Sequence, residues 1–177
     1  MNAAVRVLNT DPDAGLEKIA VAAGVTRQTV YAHFPSREHV LLAILGQVTQ
    51  ETVAAMDAAA PETGPAADAL LRLLDAATQT VERYSAPLLQ KISLLPLSPQ
   101  ADHEQHTPIA ARIERVIRRG RKSGEFDAAL PTGWLVAATI KLAHTASEEE
   151  QAGRLSKNDA QDSLHTSLLR MLGARAK

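Results

Sequence analysis

The sequence contains no cysteine among its 177 residues. Disulfide bridges, thiol nucleophiles and thiolate zinc sites are therefore excluded, and the composition suits a reducing compartment. No apolar run approaches the roughly 18 residues that span a bilayer, and the first residues lack the apolar stretch of a secretory signal. We therefore expect a cytoplasmic protein without a membrane partner.

The sequence also lacks an excess of charge of either sign, because its formal net charge is -1 at pH 7. A near-neutral total neither favours nor excludes nucleic acid, since phosphate binding depends on local clusters of cations. The function must therefore be inferred from local motifs.

Aromatic residues make up only 3% of the chain, whereas alanine and leucine, which favour helix, are abundant. Strict alternation of polar residues with β-branched or aromatic ones, which is typical of strands, is absent. The sequence therefore predicts an all-α fold. Apolar spacing and capping residues predict helices at about 2–9, 16–23, 27–34, 36–59, 70–84, 87–95, 108–123, 132–150 and 157–172, and an irregular segment at 96–107.

One segment near the N-terminus has the pattern of a helix-turn-helix. Two short helices that cross over a tight turn need a small residue at the crossing, a glycine in the turn and an apolar residue that holds the second helix. Ala20, Gly24 and Val30 supply these three. Three further residues are expected to fill the interior between the helices: Ile19, Ala23 and Val25.

The second of these helices would present an outward face of donors and acceptors suited to base edges and phosphates. That face consists of Thr26, Arg27, Gln28, Thr29, Tyr31 and His33. The spacing alone fits equally a capped helical hairpin whose polar face is merely solvated.

Residues 24–41, Gly-Val-Thr-Arg-Gln-Thr-Val-Tyr-Ala-His-Phe-Pro-Ser-Arg-Glu-His-Val-Leu, resemble the recognition-helix signature of the TetR family of bacterial transcriptional regulators. The signature ends in an aromatic residue, a His-Phe pair and a basic residue just inside the next helix, and all three are present. The resemblance implies a homodimer whose two recognition helices enter successive major grooves of double-stranded DNA at a pseudo-palindromic operator.

The resemblance also implies a role for each matching residue. Base edges or nearby phosphates would be reached by Thr26, Arg27 and Gln28, and the DNA backbone would be hydrogen-bonded by Thr29, Tyr31 and His33. Arg37 stands where the family usually has lysine, and either cation can hold a phosphate.

Two domains follow from the resemblance: a helix-turn-helix DNA-binding domain at 1–46 and a larger helical effector-binding and dimerisation domain at 47–177. The first helix is about half the family's usual length and lacks the basic arm that often precedes it. Because phosphate contacts supply most non-specific affinity, we expect residues upstream of Met1 to complete this helix and arm.

Two sets of residues in the larger domain are candidates for binding. A ligand pocket would be lined by inward-pointing side chains, for which we select Tyr84, Leu88, Ile92 and Trp134. Since aliphatic residues dominate, we expect a small apolar effector rather than a flat cation held in an aromatic cage. A four-helix dimer interface, as the resemblance implies, would use Leu135, Thr139, Leu142, Leu164, Leu168 and Met171, although the same faces could equally form an intramolecular core.

The remaining clusters give no signal for an enzyme. The basic run from Arg112 to Lys122 is interpreted as a solvated helix face without a DNA role. His103 and His106 lie three residues apart rather than four as in His-Glu-x-x-His, and we expect no metal site and no cofactor. A nucleophile elbow and a glycine-rich phosphate loop are both absent.

The sequence therefore predicts a ligand-responsive transcriptional regulator, a repressor that its effector releases from DNA by tilting the helix from Ser36 to about Ala59. Two alternatives stay open. One is a helical ligand-binding or interaction protein whose incomplete helix-turn-helix domain does not bind DNA. The other is a metal-dependent enzyme built around His103 and His106.

Overall fold

The structure, a computed structural model, describes residues 1–174, and at 99, 102 and 103 it describes the backbone alone. Over this range the chain forms nine α-helices, which confirms the all-α prediction. They are α1 (Asn2–Thr10), α2 (Leu16–Ala23), α3 (Arg27–His33), α4 (Arg37–Ala58), α5 (Ala66–Val81), α6 (Ala86–Ser93), α7 (Pro99–Ser123), α8 (Thr132–Gln151) and α9 (Lys157–Met171). Among the described residues, no helix is long and apolar enough to cross a membrane.

Local capping sets the helix boundaries of the N-terminal segment. Gly24 adopts a φ of 68° after α2 and its N–H donates to carbonyls of the preceding turn, so the chain turns sharply. Thr26 then caps α3, because its hydroxyl oxygen accepts from the N–H of Thr29 over 3.2 Å. α3 ends at His33, before Pro35, whose ring disfavours helix at the preceding residue. These boundaries agree with the sequence-based prediction.

The longest helix, α7, departs from the sequence-based prediction. The sequence predicts an irregular segment up to residue 107 and a helix opened by Pro108, whereas α7 begins at Pro99 and contains Pro108 in its interior. The hydroxyl oxygen of Ser98 accepts from the N–H of Ala101 over 3.1 Å. Pro99 takes the first helical position, where no N–H is needed. The prediction is wrong because it gives Pro108 the role that Ser98 and Pro99 fill.

The chain folds into two compact units. Unit 1 comprises Met1–Glu51 and Gln79–Gln105, and unit 2 comprises Thr52–Thr78 and the chain from His106 onward. This division differs from the predicted boundary after residue 46, because α6 and the start of α7 pack with the N-terminal helices. Gln105, for example, donates to the hydroxyl of Thr49 over 2.6 Å.

Unit 1 has an apolar core to which α1, α2, α3, α4 and α6 all contribute. Its buried members include Ala4, Leu8, Leu16, Ile19, Ala20, Val30, Val40, Leu41, Ile44, Tyr84, Leu88 and Ile92. Each large aliphatic side chain buried here contributes about 1.5–3 kcal/mol. The helix-turn-helix and α6 are therefore held by the same core.

Unit 2 has a separate core formed by α5, α7, α8, α9 and the end of α4. Its buried members include Met56, Leu70, Leu73, Ile113, Val116, Ile117, Phe126, Leu135, Val136, Leu164, Leu168 and Leu172. The aliphatic stripes predicted for these helices thus face one another within the chain.

Candidate nucleic-acid interface

The short helix α3 buries one side chain, Val30, which is 6% exposed. Val30 lies in the core of unit 1 with Ile19 and Ala20 of α2. Six of the seven side chains predicted to contact DNA lie at the surface: Thr26, Arg27, Gln28, Thr29, Tyr31 and His33. The predicted polar face therefore exists as an exposed surface supported by a packed helix.

The interior between α2 and α3 is smaller than the sequence predicts. Ala23 is exposed and Val25 is 42% exposed, so the prediction that both fill the interior is wrong. Both residues flank Gly24, which is itself exposed in the turn. Of the three predicted filling residues only Ile19 is buried.

Arg27 is held by one neighbour on α2 and another on α3. Its Nη1 lies 2.9 Å from Oε1 of Glu17, and its Nη2 donates to the hydroxyl of Tyr31 over 3.3 Å. The guanidinium also lies 5.1 Å from the centroid of the Tyr31 ring, within cation–π range. The hydrogen bond to Tyr31, followed by the charge of Glu17, raises the pKa of Arg27. The principal cation of the exposed face is therefore partly ordered before any ligand binds.

The other predicted phosphate-binding cation, Arg37, is turned toward its own chain. Its Nη2 donates to the carbonyl of Pro12 and lies 3.7 Å from Oδ1 of Asp13, and its side chain is 26% exposed. Asp13 also pairs with Lys91 of α6, with Nζ 2.8 Å from Oδ1. Arg37 thus ties the start of α4 to the loop between α1 and α2, a role that its position in the sequence did not indicate.

α6 is fastened to the N-terminal helices by polar contacts as well as by the core. Oδ1 of Asn9 accepts from the N–H of Ser85 over 2.8 Å, and Nδ2 of Asn9 donates to the carbonyl of Arg83 over 3.2 Å. Oε2 of Glu51 accepts from the hydroxyl of Tyr84 and from Arg83, each over 3.0 Å. Sequence reasoning missed Asn9 and Glu51, because their partners lie far away along the chain.

The four residues selected for a ligand pocket belong to two different units. Tyr84, Leu88 and Ile92 are buried in the core of unit 1, whereas Trp134 belongs to unit 2 and is 63% exposed. The expectation that Trp134 points inward is therefore wrong, because Trp134 lies on the face of α8 opposite the buried Leu135, Val136 and Thr139.

The residues selected for a dimer interface are largely internal. Leu135, Thr139, Leu164 and Leu168 are at most 7% exposed within one chain. A buried side chain has no surface left for a partner, so these four form the core of unit 2, and Leu142 and Met171 pack partly buried against it. The outward faces of α8 and α9 carry other residues: Trp134, Ala137, Lys141, Thr145 and Glu148 on α8, and Asp159, Asp162, Ser163, Thr166 and Arg170 on α9.

The basic run of α7 is partly structural rather than simply solvated. Arg112 pairs with Asp57 over 2.7 Å. Arg119 donates to the carbonyl of Gly64 over 2.8 Å, and Arg121 donates to the hydroxyl of Thr132 over 2.7 Å. These arginines connect α7 to the end of α4, to the loop at Gly64 and to the start of α8, which leaves fewer cations for an external ligand.

The predicted histidine pair falls partly outside the described residues, because nothing is described of the His103 side chain. Among the side chains that the structure does describe, no group of three or more His, Asp or Glu residues could hold a metal ion.

An exposed polar helix, supported by a second short helix across a glycine turn, defines the class of helix-turn-helix DNA-binding proteins. Comparison with known proteins makes the class more specific, because residues 1–44 match the family model of the bacterial regulatory proteins of the tetR family. The HTH-type transcriptional repressor LfrR of Mycolicibacterium smegmatis (strain ATCC 700084 / mc(2)155) is 40% identical over 75 residues. This match spans 42% of the chain and 40% of the length of that relative.

Solved structures extend the likeness to the whole fold. The TetR-like regulator LfrR from Mycobacterium smegmatis, solved in complex with proflavine, is 26% identical with a TM-score of 0.65, covering 99% of this chain and 95% of that one. The fatty acid degradation regulator FadR from Bacillus halodurans has a TM-score of 0.77 at 19% identity, covering 95% of each chain, and shows the shared fold alone. This chain is therefore TetR-like in its N-terminal helix-turn-helix region and in its fold, and the predicted resemblance to the TetR family is confirmed.

Proposed function

We propose that this protein is a ligand-responsive DNA-binding transcriptional regulator, a repressor that a small-molecule effector releases from a pseudo-palindromic operator. The observation that carries the proposal is the exposed polar face of α3, supported from below by Val30, Ile19 and Ala20. The similar protein LfrR is named a transcriptional repressor, which supports repression rather than activation.

In this proposal Thr26, Arg27 and Gln28 read base edges or nearby phosphates. Thr29, Tyr31 and His33 bind the DNA backbone, as the family signature implies. Arg37 contacts a phosphate only if it gives up part of its contact with Pro12 and Asp13, so we expect its main effect on DNA binding to come through the position of α4.

The protein would act as a homodimer, because two recognition helices must reach half-sites about 34 Å apart or a multiple of that distance. We propose the outward faces of α8 and α9 as the dimer interface. Their small residues, Ala137 on α8 and Ser163 and Thr166 on α9, are exposed and allow helices of two chains to approach closely.

The effector would bind among the helices of the larger C-terminal region and change the tilt of α4, which continues from the helix-turn-helix. α6 offers a second path to the DNA-binding residues, since it shares a core with α1 and α4. We expect a small apolar effector, and the LfrR complex with proflavine makes that planar dye the first alternative to test.

A salt series of binding to the DNA that flanks the protein's own gene tests the first part of the proposal, by fluorescence anisotropy. We expect the affinity to fall steeply with salt, and Arg27→Ala and Gln28→Ala each to weaken operator binding by about 1–3 kcal/mol. Arg118→Ala is the matched control, because Arg118 pairs with Glu114 on α7 within unit 2.

Binding no tighter than the non-specific range of about 10⁻⁴ to 10⁻⁶ M would contradict the proposal. Such weak binding would favour the alternative of a helical ligand-binding or interaction protein whose helix-turn-helix domain does not bind DNA.

The effector part is tested by titrating proflavine and small apolar compounds into the free protein and into its operator complex. Binding at the two sites must be reciprocally coupled, so an effector that weakens DNA binding must itself bind more weakly to the complex. An effector that binds equally well to both forms would contradict the release mechanism.

A further inference from the structure

The carboxylate of Asp13, in the loop between α1 and α2, lies between two cations of unit 1. Its Oδ1 lies 2.8 Å from Nζ of Lys91 on α6 and 3.7 Å from Nη2 of Arg37 at the start of α4. The shorter distance is that of a charge-assisted hydrogen bond, whereas the longer one exceeds hydrogen-bond range. The carboxylate is therefore bonded to Lys91 and attracts Arg37 only from a greater distance.

The guanidinium of Arg37 is incompletely satisfied in this arrangement. Its Nη2 donates to the carbonyl of Pro12, but its Nε is buried and has no acceptor among the described residues. A buried donor without a partner costs stability, and one carboxylate can accept from two N–H groups of a guanidinium at once. Closer approach of Asp13 to Arg37 would therefore be favourable if Lys91 did not hold the carboxylate.

Little packing opposes a movement of Asp13 from one cation to the other. Its side chain is 72% exposed, and that of Lys91 is 40% exposed. The other carboxylate of this loop, Asp11, is paired with Lys18 over 2.9 Å. Because the attraction between charges falls with distance, two cations that share one carboxylate compete for it. A small displacement of α6 would thus be enough to change the partner of Asp13.

We propose that Lys91 competes with Arg37 for Asp13 and so sets how firmly Arg37 is held to its own chain. While α6 keeps Lys91 on Asp13, Arg37 leaves the loop more readily for a DNA phosphate. When α6 withdraws Lys91, Asp13 closes on Arg37 and DNA binding weakens. The inference rests on the proposed function, and it gives the path from α6 to the DNA-binding residues a specific contact.

A measurement on the free protein tests the competition without any DNA. Lys91→Met keeps the aliphatic part of the side chain and removes its charge, so Asp13 should move toward Arg37. In nitrogen–proton NMR spectra the Nε–Hε signal of Arg37 should then shift, and Asp13→Asn in the same chain should abolish that shift. The signal of Arg112, whose Nε donates to Asp57 in unit 2 over 3.0 Å, is the control. An Arg37 signal that Lys91→Met leaves unchanged would overturn the proposal.

Binding to non-specific DNA, followed by fluorescence anisotropy, tests the consequence for the DNA-binding residues. Lys91→Met should weaken binding about two- to fivefold, the effect expected of one exposed ion pair. Lys122→Met, at an exposed lysine of α7 in unit 2, removes one positive charge alone and should have a smaller effect. Either Asp13→Asn or Arg37→Gln in the same chain should reduce the effect of Lys91→Met to that of the control.

Two outcomes of the DNA measurement would overturn the proposal. If Lys91→Met has its full effect in the Asp13→Asn chain, Lys91 acts without the carboxylate. If the full effect persists in the Arg37→Gln chain, Asp13 repels DNA directly. A native chain that binds no DNA while its Arg37 signal responds to Lys91→Met would instead contradict the proposed function and leave the competition for Asp13 in place.

Discussion

At the scale of single residues, the pairing of Arg27 with Glu17 should affect how α3, the proposed recognition helix, binds DNA. The carboxylate competes with phosphates for the guanidinium and places a negative charge beside the exposed face. We predict that Glu17→Gln strengthens binding to non-specific DNA by about 0.2–1 kcal/mol, the usual range for an exposed ion pair. Asp68→Asn, which removes an exposed carboxylate from α5, is the control in the same anisotropy assay. Equal effects of the two substitutions would show that only the net charge matters.

Two glycines within helices should respond to the same substitution in opposite directions. A Cβ at Gly120 would lie 2.9 Å from Cγ of Phe126, and closer still to two other ring carbons, whereas a Cβ at Gly46 meets nothing within 4 Å. Phe126 is buried, so Gly120→Ala should destabilise the protein by about 1–3 kcal/mol through overpacking. Gly46→Ala should stabilise α4 by up to about 1 kcal/mol, because alanine favours helix. Urea unfolding followed by far-UV circular dichroism gives both values, and a stable Gly120→Ala variant would contradict the predicted clash.

At the scale of helices, the hydrogen bond from Tyr84 to Glu51 connects the turn before α6 to α4. The same contact makes the free energy of unfolding depend on pH in the alkaline range. Burial and then the Glu51 carboxylate raise the pKa of Tyr84 from 10.0 to about 12. Above pH 10 the unfolded tyrosine therefore loses its proton first, the unfolded state binds fewer protons, and stability falls as the pH rises toward 12. The raised pKa contributes at most about 3 kcal/mol to the free energy of unfolding, and this contribution is fully present below pH 10.

Tyr84→Phe tests this dependence, because phenylalanine keeps the ring and removes the ionisable hydroxyl. The stability difference between the native protein and this variant should decrease as the pH rises from 10 toward 12. Tyr31→Phe, at an exposed tyrosine of α3, is the control. Unfolding free energies from urea titrations at several alkaline pH values provide the comparison, and a difference that stays constant would exclude the proposed linkage.

The accuracy of the sequence-based prediction also differs from helix to helix. The boundaries of α2 and α3 are predictable because Gly24 and Thr26 act on residues within one turn of themselves. The start of α7 is not predicted, since Ser98-Pro99 and Thr107-Pro108 offer the same local signal for the start of a helix. The exposed face of α3 follows from helical spacing.

The roles of Arg37 and Asn9 depend instead on partners that the fold brings near. Arg37 contacts the loop before α2, and Asn9 contacts the turn before α6. The same holds for Leu88 and Ile92, which sequence spacing assigns to a ligand pocket and the fold places in the core of unit 1. A helical stripe shows that a side chain is buried, but it does not show which helix covers it.

At the scale of the whole molecule, the proposed binding of two chains to one operator would depend on the proposed interface of α8 and α9. Ala137 is an exposed small residue on the outward face of α8, so a charged side chain there would have to be buried between two chains. We predict that Ala137→Glu converts the dimer into monomers, as measured by sedimentation velocity. It should also weaken operator binding more than non-specific binding, because only an operator has two half-sites that two linked recognition helices can bind at once.

Ala111→Glu places the same charge at an exposed alanine of α7 and should leave both the mass and the operator affinity unchanged. If Ala137→Glu remains a dimer, the interface lies on another surface. If the native chain is itself a monomer that still binds its operator tightly, half-site spacing cannot be what sets its specificity, and release by an effector would have to act within a single chain through α4 and α6.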